Sequence, residues 1–164
     1  MSGTASISAF SRSNADGGRK IVNFGSPSTR ITINDTSCAW HKGLEKRLEE
    51  LIRLRNGWDG YNARPVSLAN AVFALGMLER LYSAAVPTPD LVPGYDGDLQ
   101  AEWHIGEIDI ELHVKAPNDV VAWRMTPDSG EDGEEVALTN DFTVVGQWIK
   151  AISGAADAVA AAAA

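Results

Sequence analysis

Six ionisable side chains alternate with apolar residues within one short stretch: Glu102, His104, Glu107, Asp109, Glu111 and His113. Two chemistries use such a set. Paired carboxylates flanked by imidazoles perform general acid and base work at glycosidic or phosphoryl bonds. The same groups, spread over an open face, receive the Lys and Arg side chains of a basic partner. The spacing favours the second, because alternation places Glu102, His104, Asp109, Glu111 and His113 on one flat strand face, which offers no pocket to exclude water or move a pKa. A further acidic group, Asp128, Glu131, Asp132, Glu134 and Glu135, reads alone as a solvated turn and together with the strands as an extension of the same acidic surface.

Other chemical patterns are missing or incomplete. The run Asp96-x-Asp98-x-Gln100 with Glu107 outlines a calcium loop, yet Ala101 stands where the sharp turn needs Gly, and Gln100 replaces Asp or Asn. The chain has no His-Glu-x-x-His, no phosphate-cradling Gly-rich loop and no Gly-x-Ser-x-Gly. Cys38 followed by His41 matches a chance pairing at a helix start better than a catalytic dyad. No catalytic residue, metal site or cofactor is expected.

The elements that must position these groups follow from periodicity. Leu44, Leu48, Leu51 and Ile52 predict an amphipathic helix over 40–56, ended by Asn56-Gly57. Ser67 caps a second helix over 68–85, largely buried, in which Gly76 implies the close approach of another element. A stiff Pro-rich connection over 87–97 follows, and then the period changes to two. With Gly106-Glu107 as a type II′ turn, Ile105 faces Ile108, Trp103 faces Ile110 and Ala101 faces Leu112 on the buried side. On the outer side His104 faces Asp109, Glu102 faces Glu111 and Gln100 faces His113. Two opposed glutamates are unfavourable without a cation or proton between them, and parity on a third strand over 120–125 brings Arg124 near Asp109 and Glu111. A short fourth strand over 135–138 and a helix from about 140, burying Phe142, Val145, Trp148, Ile149 and Ile152, complete the pattern. The order predicts an α+β fold: two N-terminal helices, an antiparallel meander of three to four strands, and a C-terminal helix packed on one sheet face. Residues 1–36 read as an appended arm or hairpin with β-like runs at 21–24 and 30–34 around a turn, 37–153 as the single α+β domain, and 154–164 as an Ala-rich helical tail.

At 164 residues and 17.5 kDa, 45% hydrophobic and 22% charged, the chain suits one globular domain with a real core. It has no apolar run long enough for a membrane span and no signal-peptide pattern at its start, and it has a single Cys, so a cytoplasmic location is expected. The net charge of −8 is uneven: residues 1–89 hold 11 Lys and Arg against 7 Asp and Glu, a net of +4, whereas residues 90–164 hold 3 against 15, a net of −12. That balance disfavours direct nucleic-acid binding and membrane association, and a field so segregated steers the chain toward a basic surface.

The run Gly57-Trp58-Asp59-Gly60-Tyr61-Asn62-Ala63-Arg64-Pro65, with Asp96-Gly97 and Glu102-Trp103-His104 after it, resembles a scattered family of small bacterial and mobile-element proteins. That family shares a Trp-Asp-Gly-Tyr-x-Ala-x-Pro turn and a later Glu-Trp strand. The resemblance spans residues 44–115 and implies a fold rather than an activity. Trp58 and Tyr61 serve either as wedges between the two helices, with Asp59 capping the turn, or as an exposed aromatic contact site.

Three function classes emerge. The first is a non-catalytic inhibitor of the anti-defence or antitoxin-like kind, phage-encoded or mobile-element-encoded and acting in the host cytoplasm. It would present Glu102, His104, Glu107, Asp109, Glu111, His113 and the 128–135 loop to a basic partner such as a nucleic-acid-processing enzyme. The second is a small metal-dependent or carboxylate-based hydrolase built on Glu102, His104, Glu111 and His113. The third is a structural protein whose N-terminal arm and exposed aromatics mediate oligomers.

Overall fold

The leucines at helical spacing form α1, His41–Ile52, which buries His41, Leu44, Leu48 and Leu51 on one face. Each of these leucines, almost fully withdrawn from water, contributes roughly 1.5–3 kcal/mol. The helix stops four residues short of the expected end. The Leu51 carbonyl is taken by the Val66 N–H at 3.3 Å, and Gly57, at φ 72°, instead opens the following turn by donating to the Ala63 carbonyl at 2.7 Å.

Ser67 caps α2, Leu68–Leu81, accepting the Asn70 N–H at 3.1 Å. This helix also ends before the predicted 85: Tyr82 leaves the helical conformation at ψ 134°, the Val86 N–H closes a tight turn on the Ser83 carbonyl at 3.2 Å, and two indoles hold the chain there, Trp40 Nε1 donating to the Val86 carbonyl at 2.9 Å and Trp103 Nε1 to the Pro87 carbonyl at 3.0 Å. Tyr82 sits edge-on to Trp40, with ring centroids 5.2 Å apart. The close approach expected at Gly76 is not found, since a Cβ added there would meet no atom within 4 Å.

The computed structural model describes residues 14–15, 19–23, 30–33 and 38–162, with side chains over 38–154. The chain falls into two compact units, Met1–Ser37 and Cys38–Ala164. In the first, β1 (Asn14–Ala15), β2 (Arg19–Asn23) and β3 (Arg30–Ile33) pair antiparallel in that order. The turn expected between the two β-like runs lies outside the described residues.

The second unit is an α+β fold. Its sheet has five antiparallel strands in sequential order: β4 (Asp90–Pro93), β5 (Leu99–Ile105), β6 (Ile108–Ala116), β7 (Asp119–Met125) and β8 (Glu134–Leu138). The sequence pointed to three or four strands. The additional one, β4, lies inside the Pro-rich connection and is a short edge strand, where the missing N–H of Pro93 is tolerated. Helix α3, Thr143–Ala162, starts three residues later than expected, after Asp141 Oδ1 has accepted the Thr143 N–H and hydroxyl at 3.0 and 2.6 Å. It continues through the Ala-rich segment to Ala162. All three helices pack on one sheet face, α1 against β4, α2 against β6 and α3 against β5. Leu99, Ala101, Trp103, Ile110, Leu112, Val114, Val120 and Ala122 fill the space between.

All six expected pairs of the β5–β6 register are present, from Gln100 opposite His113 to Ile105 opposite Ile108, and Leu99 opposite Val114 extends the ladder by one. Gly106 has φ 62° and Glu107 is not among the positive-φ residues, as a type II′ turn requires. The next hairpin departs from the expected parity. Ala116 pairs with Asp119 across Pro117-Asn118, but the register then shifts between Val114 and Ala116, leaving Lys115 as a bulge. Without that extra residue, regular counting from the turn would set Glu111 opposite Arg124. With it, Glu111 faces Trp123 and Arg124 faces Ile110. The Lys115 carbonyl accepts Asn70 Nδ2 at 3.3 Å, and the same amide donates to the Gly97 carbonyl at 2.8 Å. A buried Asn on α2 thus holds the bulge that decides which side chains of β7 face outward.

Candidate partner-binding face

The registers set the outer face of the sheet as rows across the strands. One row reads Asp90, Glu102, Glu111, Trp123, Glu135, and the next Val92, Gln100, His113, Val121, Ala137. Neighbouring strands lie roughly 4.8 Å apart, so the first row brings three carboxylates side by side before the indole and a fourth beyond it. His104, Asp109 and Met125 stand at the end of this face.

Part of the charge is met internally. His104 Nδ1 lies 2.8 Å from Asp109 Oδ1 and Nε2 lies 3.4 Å from Glu102 Oε2. The hydrogen bond to Asp109, and then that to Glu102, raise the His104 pKa above its ordinary value. His104 thus meets Glu102 and Asp109 but not Glu111, the glutamate opposite Glu102. His113 turns away from Gln100 to Asp98, with Nε2 2.5 Å from Oδ2. Burial works against ionisation of Asp98, but the hydrogen bonds from His113 and from the Asp96 N–H outweigh it and hold the carboxyl below its usual value.

Arg124 does not neutralise this face, as parity had suggested. It lies on the helix side, where it bonds Glu134 at 2.5 Å and stacks over the Trp148 ring, 4.8 Å from its centroid. Its Nε is buried without a hydrogen-bond partner. Trp123 occupies the outward position instead. Its Nε1 donates to the Asp132 carbonyl at 3.0 Å, and the indole lies over Gly133, where an added Cβ would come within 2.8 Å of Nε1.

Nor is the face flat. A concavity of about 340 Å³ opens between the two rows, lined by Gln100, Glu111, His113, Val121, Trp123 and Glu135. The structure thus brings Glu102, His104, Asp109, Glu111, His113 and Glu135 onto one surface. Glu107 sits exposed in the β5–β6 turn, Asp128 and Glu131 are exposed in the loop before β8, Asp132 contributes its backbone carbonyl, and Glu134 is spent on Arg124. Sequence reasoning missed Asp90, Asp98, Val121 and Trp123. The last two belong to the nearly unbroken apolar run of β7, whose outward members only the bulge reveals.

The Trp-Asp-Gly-Tyr turn lies elsewhere. Asp59 Oδ1 accepts the Tyr61 and Ala63 N–H groups at 2.9 and 3.1 Å, bonds that lower its pKa, the first most strongly. Trp58 is half-buried and donates to the Arg64 carbonyl at 3.1 Å. Arg64 in turn pairs with Asp96 across an isolated bridge that ties this turn to the loop before β5. Tyr61 is 84% exposed, so it is not a wedge between helices.

Of Cys38 and His41, which the sequence set down as a chance pairing, the imidazole is engaged by two carboxylates. His41 is buried, with Nδ1 2.7 Å from Glu79 and Nε2 2.7 Å from Glu45, so its imidazole locks α1 to α2. Among the described residues no group of three or more His, Cys, Asp or Glu side chains could hold a metal ion, and no helix is long and apolar enough to cross a membrane.

Fold and face together define an α+β protein with a one-sided five-stranded sheet and an acidic, aromatic outer surface. Comparison with protein families, with curated proteins and with solved structures finds no match.

Proposed function

We propose that this is a non-catalytic binding protein that presents the outer face of its sheet to a basic protein surface. It would act as an inhibitor of the anti-defence or antitoxin-like kind, in the cytoplasm of the cell that hosts a phage or other mobile element. The observation that carries the reading is the cross-strand row Asp90, Glu102, Glu111, Trp123, Glu135, on the face opposite the three helices. Like charges on adjacent strands cost stability in the free protein, and a basic partner relieves that cost on binding. The −12 half of the chain supplies the long-range field that steers such a partner. A nucleic-acid-processing enzyme, whose groove carries the complementary charge, fits this chemistry. The hydrolase reading is weaker, because Glu102 and Asp109 share one imidazole and the other, on His113, is bound to Asp98.

The test is capture from the native host at low salt by the full chain and, in parallel, by a Glu102→Lys, Asp109→Lys, Glu111→Lys variant. A basic polypeptide retained by the first and lost by the second is expected. Equal retention by both contradicts the reading.

A further inference from the structure

We propose that the concavity on the outer face is an anchor site for an arginine side chain of the partner. This rests on the acidic-face reading above and specifies which group enters it and where. Its volume of about 340 Å³ stands at the small end of ligand sites and accommodates one long side chain.

One wall is the Trp123 indole, fixed before any partner arrives by its hydrogen bond to the Asp132 carbonyl and by the bare Gly133 beneath it. A ring held in place loses little freedom on binding. Glu111 and Glu135 flank that ring on the neighbouring strands. Neither has a hydrogen-bond or ion-pair partner among the described residues, in contrast to Glu102, Asp109 and Glu134, each of which has one. The adjacent cation of β7, Arg124, is engaged on the opposite face. The site therefore pairs an aromatic surface with two unneutralised carboxylates.

A guanidinium matches this combination. It is planar, stacks flat on an indole while its edge donates to carboxylates, and sheds water more readily than an ammonium does. A lysine would gain the charge attraction but not the stacking together with paired hydrogen bonds, so the geometry selects arginine over lysine.

Isothermal titration of the full chain at low salt with acetylated hexa-arginine amide and hexa-lysine amide tests this. The arginine peptide should bind at least tenfold more tightly, Glu111→Gln with Glu135→Gln should weaken it at least tenfold, and Trp123→Leu should abolish the preference between the peptides. Should Trp123→Leu fail to fold, the unsubstituted protein still decides: its Trp123 Nε1–H resonance should move on addition of the arginine peptide while that of Trp58 stays. Equal affinity for the two peptides, or an unmoved Trp123 resonance, overturns the anchor. If the charge-reversed variant still loses its partner in that case, the acidic-face reading stands without the anchor.

Discussion

Replacing Gly133 by Ala probes the construction of the outer face at its tightest point. Gly133 has φ 70°, a conformation that costs an L side chain about 1–2 kcal/mol. The new Cβ would also lie 2.7 Å from the Arg124 carbonyl oxygen, 2.8 Å from Trp123 Nε1 and 2.9 Å from Trp123 Cε2, closer than such atoms approach one another. The backbone oxygen cannot yield cheaply, so the indole must leave Gly133 and its bond to Asp132, a loss of about 1 kcal/mol more. The expected destabilisation of roughly 2–3 kcal/mol lowers the melting temperature by about 4–12 °C for a chain of this size. Gly130, in the same loop, is the control: an added Cβ meets nothing within 4 Å and its φ is not positive, so Gly130→Ala should be neutral or stabilise by up to about 1 kcal/mol. Urea unfolding gives the energies, and the Trp123 Nε1–H resonance reports the indole. If Gly133→Ala and Gly130→Ala unfold alike and the resonance is unchanged, the indole is not held as described and the reasoning fails.

The His104 imidazole should titrate above its ordinary value of 6.5, as followed by NMR, and Asp109→Asn should bring it down further than Glu102→Gln does. Because the folded pKa is raised, its stabilising contribution is complete below the unfolded value and is lost as pH rises through the folded one, and a stability profile without that decline contradicts the assignment. His41→Leu leaves Glu45 and Glu79 facing each other, little exposed, and should cost about 3–5 kcal/mol in urea unfolding, most of it recovered when both are changed to Gln. Gly76→Ala should raise stability by about 0.5–1 kcal/mol, since the helix interior at that point has room for the methyl group.

What the sequence disclosed and what it hid divide along physical lines. The β5–β6 pairing was legible because strict alternation and a two-residue turn leave one register that buries every apolar pair. The Ser67 cap was legible for a similar reason, as a local hydrogen bond within four residues. The face of β7 was not. Val120-Val121-Ala122-Trp123 carries no alternation, and its parity depends on a bulge at Lys115 held by Asn70, 45 residues away. Arg124 looked like the natural counter-ion of Glu111, yet Glu134 and Trp148 claim it from the helix side. The helix ends were hidden for the same reason, because indole hydrogen bonds from Trp40 and Trp103 to the chain beyond α2 are tertiary events. Of the candidate site, the carboxylates were visible from composition and spacing, whereas the indole and concavity that join Glu111 to Glu135 were not.

The central claim, that the outer sheet face holds a basic partner by charge, is tested most directly by the dissociation constant of the captured partner across ionic strength. The intact protein should lose affinity steeply between about 0.05 and 0.5 M salt as the field is screened, and the charge-reversed variant should bind weakly throughout. An affinity that is indifferent to salt, or that survives reversal of Glu102, Asp109 and Glu111, contradicts the claim.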